Sequence, residues 1–495
     1  MLLVRIAIFG LLGIVALMPG HHSLPVEAAP AYDFSGVQAT IQAQVDSGNF
    51  PGASLVLFKD GESIYEHHFG TFGPSTNISI ASSTKWISGA VIMSLVDAGT
   101  IELDDTVSEY LPDWTGQKGT ITIRQLMSHT SGLPADNACL GDSGVTLVQC
   151  VAAIRDAGLI AAPGSQFNYG GASMQVAGRI AEVATGKTWA QVFAEEIRTP
   201  LGMSSAFYWP LSNPQIGGGV FSTLTDYRRL MEMVLGRGYY NGQQLMAPST
   251  VAEMELDQTA GATIFYTPHP DQRRYGIGVW RDVVDASGLA TQVSSQGKWG
   301  MSPWIDRDRR YFGVFFVYDQ LQDVYVLVAQ IQASIRAVID AYDTDGDGTG
   351  DGADPDDDND GQADTSDGCP ITPSTWLTPL GDADCDGYAY LEYAFPRAPE
   401  AEIGTVHTSK CSATGTISDE PLPDAWPPDF NDNQLVNGAD ILHYNAAFGQ
   451  PTTNPPVNIG GTLIPLTRFD LNGSGLVNGA DVLQLNPFFG KRCNV

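Results

Sequence analysis

Residues 80–99, IASSTKWISGAVIMSLVDAG, decide the fold. From Ser82 to Ala98 apolar side chains recur at helical spacing, and Gly99 follows as the residue type favoured at a left-handed C-terminal cap. The stretch predicts one long apolar helix with a serine at its mouth. Lys85 stands three residues after Ser82, on the same helical face, where its amine can take the proton of a serine hydroxyl attacking a carbonyl. Ser295 and Lys298 repeat the spacing, but they fall between predicted strands. At Ser82, by contrast, free amides and the partial positive end of a helix favour a developing oxyanion. Taken alone, Ser82 fits an ordinary helix N-cap equally well.

Upstream, a helix is expected over 38–45, then a hairpin over 53–70, ASLVLFKDGESIYEHHFG, turning at Asp60-Gly61. Downstream, helices fit 172–185, 188–197 and 225–235, strands fit 275–283, 301–306 and 310–318, and an amphipathic helix spans 324–342. Helices at both ends of this unit, with hairpins near each end, imply an α+β fold. It comprises an antiparallel sheet flanked by terminal helices, plus a helical subdomain between them.

Five blocks in order carry a family resemblance: residues 80–112, then IRQLMSHTSGLP at 123–134, PGSQFNYGGASMQVAGRIAEVATG at 163–186, PLGM at 200–203 and GGGVFSTLTDYRRLM at 217–231. They resemble the serine β-lactamase and penicillin-binding superfamily, most nearly its class C and family VIII esterase branch, over about residues 35–340. The resemblance implies that Ser82 is the acylated nucleophile and Lys85 its proton partner. It makes Tyr169, first residue of the family's Y-x-N motif, the phenol that shuttles a proton to and from the leaving group. For that role Lys85 must lie near cations or away from water, so that a neutral amine or a phenolate is accessible near neutral pH.

Two departures bear on the substrate. The Asn that ends Y-x-N is Gly171 here. The third motif, Lys or His then any residue then Gly, aligns with Ser295-Gln296-Gly297 ahead of KWGMSPWIDRD, so the cation that would grip a substrate carboxylate is expected to be absent. The rival alignment is Lys298-Trp299-Gly300, whose register would reverse which side chains face the site. On the first alignment the oxyanion donors are the backbone N–H groups of Ser82 and Lys298. A charge-assisted hydrogen bond is worth about 1.5 to 3 kcal/mol, so its loss favours an uncharged ester or amide, or a peptide, over a β-lactam. The alternatives are a β-lactamase or D,D-peptidase, and a non-catalytic calcium-dependent surface protein with a retired hydrolase domain. His129, in HTSG, reads as a structural turn, and His67 and His68, adjacent on a strand, face opposite ways. No zinc spacing, Walker loop or dinucleotide fingerprint occurs.

At residue 343 the composition changes to DTDGDGTGDGADPDDDNDGQADTSDGCP. Residues 343–495 hold 25 acidic against 5 basic residues, a net −20 of the chain's −31, so a cation is the expected partner and nucleic acid is excluded. Calcium takes six to eight oxygens, from loop positions 1, 3, 5, 7, 9 and 12 with Gly at 6. Asp343, Asp345, Asp347, Thr349, Asp351 and Asp354 fill one register, and Asp356, Asp358, Asp360, Gln362, Asp364 and Asp367 the next, with Gly348 and Gly361 at the bends. The run resembles thrombospondin type 3 repeats, and its order should depend on metal. Two later segments, starting 41 residues apart, offer Asp429, Asn431, Asn433, Leu435, Asn437 and Asp440, then Asp470, Asn472, Ser474, Leu476, Asn478 and Asp481. They resemble the paired loops of type I dockerins, which implies a cohesin-like or cell-surface partner. Gln434 in place of Gly, and Pro487 after the second loop, depart from that pattern. A further candidate at Asp382, Asp384 and Asp386 has Tyr393 at position 12.

The chain begins with one cation at Arg5, an apolar run over 6–18 and small residues near Ala28, the pattern of a secretory signal peptide. The run is about 13 residues, short of the roughly 20 that a spanning helix needs, so a protein that does not span the membrane is expected, secreted, at the cell surface or in the periplasm. The six cysteines suit disulfides in an oxidising compartment, with neighbours 139–150, 369–385 and 411–493 as the simplest of 15 pairings. The expected domains are 1–28 signal peptide, 34–342 hydrolase, 343–370 acidic repeats, 371–425 linker and 426–495 paired loops.

Overall fold

The computed structural model describes residues 32–369 except 60, 242, 270, 272 and 368, and scattered residues between 447 and 485. The leader, the 369–385 and 411–493 pairings, the 382–393 loop and all dockerin-like ligand positions except Leu476 and Asp481 lie outside the described residues.

Seven antiparallel strands form one sheet in the spatial order Arg274–Tyr275, Trp280–Val284, Ala290–Ser294, Ser302–Asp306, Tyr311–Val317, Gly52–Lys59 and Glu62–Gly70. The first hairpin sits at one edge, and its register pairs Ala53 with Val317 and with Phe69. The two terminal helices, Ser35–Asp46 and Leu321–Asp340, cover one face of this sheet, where Phe34, Ile41, Trp304, Phe315, Ile331 and Ile335 are buried together. The helical subdomain lies against the other face around the helix Thr84–Asp97. That helix is buried on nearly every side, which is why its sequence is apolar almost throughout rather than amphipathic. The α+β architecture with terminal helices is the one the chain's periodicities imply.

Three local expectations need correction. The long helix does not begin at Ser82: residues Ala81–Ser83 form a single 3-10 turn, and the α-helix starts at Thr84. Its far end behaves as expected, because Gly99 takes φ +66° and its N–H donates to Val96 O. The expected strand over 275–283 is two strands, Arg274–Tyr275 and Trp280–Val284, folded back on each other. Glycine makes the reversal necessary. A Cβ on Gly276 would sit 2.0 Å from Met254 O, and one on Gly278, at φ +79°, 2.3 Å from Lys85 O. The expected helix over 188–197 is an α-helical turn, Trp189–Phe193, continued by a wider π-helical one, Ala194–Arg198. The 172–185 helix is found with those bounds, between Gly171 and the left-handed cap Gly186.

Cys139 and Cys150 form a disulfide with Cα atoms 5.2 Å apart, tying the loop after residue 133 to the helix Leu147–Asp156. Among the described residues no helix is long and apolar enough to cross a membrane.

Because the Gly278 turn rests on the backbone of Lys85, Gly278→Ala should destabilise the domain by about 3 kcal/mol through overpacking and left-handed strain. Urea denaturation measures this, and a loss under 1 kcal/mol would show that the turn can move away from the helix.

Candidate active site

The turn before the central helix holds Ser82 in place. Ala81 sits in left-handed backbone at φ +46°, unusual for a residue with a Cβ. Such strain persists only where surroundings enforce it. The Ile80 N–H donates to Val220 O, Thr84 Oγ1 accepts from Val220 N at 3.0 Å, and the Tyr227 hydroxyl donates to Ser83 O at 2.9 Å. Ser295 Oγ lies 3.4 Å from Ser82 O and 3.2 Å from Gly278 O.

Lys85 is 3% exposed. Its Nζ lies 3.2 Å from Ser82 Oγ and 2.6 Å from Gly217 O, and 4.6 Å from the centre of the Tyr169 ring. Burial lowers its pKa to about 7, against the opposing pull of the Asp136 carboxylate. A neutral amine is therefore accessible at neutral pH without a neighbouring cation, the second of the two routes the sequence left open. Tyr169 is 9% exposed, and burial raises its pKa against the lowering effect of the nearby Ser82 side chain, so it stands as a neutral phenol. The two groups thus differ in their protonation near neutral pH, an amine that can be neutral beside a phenol that keeps its proton.

The three side chains open onto a cavity of about 910 Å³. The third motif is divided. Ser295, 1% exposed, does not face substrate, because its hydroxyl ties the Ser82 turn to Gly278. Gln296 lines the cavity. Gly297 passes so close to the Ser82 turn that a Cβ there would lie 2.2 Å from Ile80 O. The regular strand ends at Ser294, and Lys298-Trp299-Gly300 forms the turn beyond it, with Gly300 at φ +87°. Ser295-Gln296-Gly297, expected on the strand beside the site, thus follows directly after the strand's end. Lys298 lies outside the helices and strands, and among the described residues its N–H donates to no backbone carbonyl. The third-motif position carries Ser295, and the Lys298 side chain nearby lines the cavity with its Nζ 5.1 Å from the Trp299 ring centre.

Several lining residues carry no motif. Asp136 follows the HTSGLP block by two positions, and Gly217 opens a recognisable block, but neither spacing reveals a role at the site. His269 is brought in by its packing on Trp280, with ring centroids 4.4 Å apart, and burial lowers its pKa to about 4. His129 is buried at φ +60° against Phe167, Tyr169 and Tyr275, and burial pushes its pKa far down, as suits a neutral packing group.

The Beta-lactamase family profile matches residues 37–329. The chain belongs to the β-lactamase family. Within it, a solved structure from Bacteroides dorei assigned as a β-lactamase is 33% identical, with a TM-score of 0.57, covering 61% of this chain and 98% of that one. Penicillin-binding protein 4 of Amycolatopsis lactamdurans is 30% identical over 192 residues, 36% of this chain. Protein flp of Staphylococcus aureus strain MW2 is 30% identical over 184 residues, 34% of this chain. The matched segments are 50% and 36% of those two relatives, so the chain spans half or less of the curated relatives it matches.

The acidic registers also take shape. Asp343 and Asp356 each accept from the N–H of the glycine five residues on, Gly348 and Gly361, at 3.0 Å, and both glycines are left-handed. The carboxylates of Asp343, Asp345 and Asp347 converge, as do those of Asp356, Asp358 and Asp360. Asp358 is 5% exposed with one oxygen unpartnered, and burial with nearby carboxylates raises its pKa to about 6.

Lys85 should titrate alone near pH 7. Carbon-13 shifts of its Cε, assigned by comparison with Lys85→Arg, measure this, and a midpoint above 9 would mean that the amine stays charged.

Proposed function

We propose that the protein is a secreted serine hydrolase that cleaves a small ester or amide through an acyl-enzyme. The observation that carries the proposal is the buried Lys85 amine 3.2 Å from Ser82 Oγ at the floor of a cavity. Neutral Lys85 takes the Ser82 proton as Oγ attacks the carbonyl carbon. The Ser82 and Lys298 N–H groups hold the resulting oxyanion. As the tetrahedral intermediate collapses, Tyr169 gives its proton to the leaving group and recovers one from Lys85. Water, deprotonated by the same pair, then releases the acid and restores Ser82.

The Ser295 hydroxyl where the motif pattern calls for Lys or His, and Gly171 where it calls for Asn, favour an ester or simple amide. Lys298 at the cavity mouth favours the second reading, a β-lactamase or D,D-peptidase, because an ammonium there can meet a carboxylate. Nitrocefin turnover separates the two.

The leader pattern supports secretion. For the acidic extension we propose two structural calcium ions. Asp343, Asp345, Asp347, the Thr349 carbonyl, Asp351 and Asp354 would hold one, and Asp356, Asp358, Asp360, the Gln362 carbonyl, Asp364 and Asp367 the other. The unpartnered oxygen of buried Asp358 fits such an ion. Calcium would supply charge neutralisation and loop order there, and no step of catalysis.

Wild-type protein should hydrolyse p-nitrophenyl acetate and gain one adduct at Ser82 from a serine-directed fluorophosphonate. Ser82→Ala should lose both, with turnover down at least about 1,000-fold. Equal rates in the two proteins would refute the mechanism. Millimolar calcium should raise the melting temperature by several degrees and chelator should lower it. An unchanged melt would remove the calcium sites.

A further inference from the structure

With glycine at 171, the cavity wall between Tyr169 and Gly217 presents backbone, and a carboxylate stands beside it. A Cβ on Gly171 would lie 3.9 Å from Asp136 Oδ1. One on Gly217 would lie 3.2 Å from Gly171 Cα and 3.4 Å from Lys85 Nζ, so Asp136 is a single layer of backbone away from the amine. Asp136 is exposed to the cavity and is the only carboxylate among the described residues lining it. It makes no hydrogen bond or ion pair among the described residues beyond the charge it exerts on Lys85.

Its placement is fixed by neighbours. The N–H groups of Gly171 and Ala172 both donate to Ala135 O, at 2.8 and 3.0 Å, and a Cβ on Gly170 would lie 2.0 Å from that oxygen. Three residues on, Cys139 is held by its disulfide and by the Asn213 amide, which donates to Cys139 O at 2.8 Å. The loop thus clamps the Tyr169-Gly170-Gly171 turn and carries its carboxylate with it. The backbone that carries Asp136 is thus ordered before a ligand binds, which leaves only its side-chain torsions to fix.

We infer that Asp136 is a specificity-determining residue, selecting acyl groups that bear a protonated amine close to the scissile carbonyl, as in aminoacyl esters and amides. This rests on the hydrolase reading above. A substrate whose carbonyl sits over Ser82 Oγ and whose acyl amine is turned to the Gly171 wall would bring that amine toward Asp136. An acyl carboxylate on the same side would be repelled. A charge-assisted hydrogen bond formed only with the ammonium gives a preference of about 10- to 100-fold.

The test compares alanine ethyl ester and alanine p-nitroanilide, each of both hands, with their N-acetyl counterparts at pH 7. For the wild type, kcat/KM should favour the free amine at least tenfold in one hand. Asp136→Asn should bring that ratio to near one, and Asp136→Glu should retain part of it. Asp136→Asn should also move the acidic limb of the pH profile on p-nitrophenyl acetate downward, because an opposite charge is removed from the Lys85 surroundings, which also include Tyr169 and neutral His129. A misfolded variant would show neither change with an intact melting temperature. Parity between free and acetylated substrates in the wild type, or a ratio unaltered by Asp136→Asn, overturns the inference while p-nitrophenyl acetate turnover keeps the hydrolase. Loss of every turnover with Ser82 intact overturns both.

Discussion

The site depends on an ammonium group taken out of water. Lys85 has its backbone in the central helix and its amine under Tyr169, with two oxygens, Ser82 Oγ and Gly217 O, as its hydrogen-bond partners. Two acceptors do not replace the hydration of a charge, so the neutral form becomes competitive near physiological pH. Everything packed around the helix serves that exclusion of water. The Gly278 turn closes on Lys85 O, the Gly297 turn closes on Ile80 O, and Ser295 joins the two through its hydroxyl. These approaches leave no room for a Cβ, which is why glycine is required at both positions.

The fold was legible wherever local chemistry coincided with the tertiary outcome. The helix 172–185 could be bounded to the residue, because Gly186 is free to adopt the left-handed cap and Gly171 ends the preceding turn. The hairpin at 53–70 was legible from alternation around Asp60-Gly61. Misplacement came where glycine served a distant contact. In 275–283 the apolar pattern suggested one strand, but Gly276 and Gly278 are there to let the chain reverse against Met254 and Lys85. Ser82 was placed inside the helix because periodicity does not register a single 3-10 turn.

In the site, Ser82, Lys85 and Tyr169 stood out because Ser82 and Lys85 have a helical spacing and all three lie in the blocks that carry the family resemblance. Asp136 and His269 did not, since each reaches the cavity from a segment with no periodic or motif signal, and Trp280 lies in a stretch whose pattern marked a strand but no place at the cavity. Ser295 illustrates the limit from the other side: its position in the motif was readable, while the direction of its hydroxyl depends on two carbonyls far apart in sequence.

The junction with the acidic extension adds a mechanical dimension. The Asp351 and Gly352 N–H groups donate to Tyr342 O and Asp340 O, and Gly350 and Gly352 pack directly on residues 340–341, so the first acidic loop caps the helix Leu321–Asp340 rather than trailing from it. At its other end that helix starts beside the cavity, where Gln320, Leu321 and Tyr325 form part of the wall and the Leu321 N–H donates to Lys298 O. A pull applied through the extension would therefore run along that helix and arrive at the Lys298 turn in the cavity wall, a load path from one end of the domain to the other.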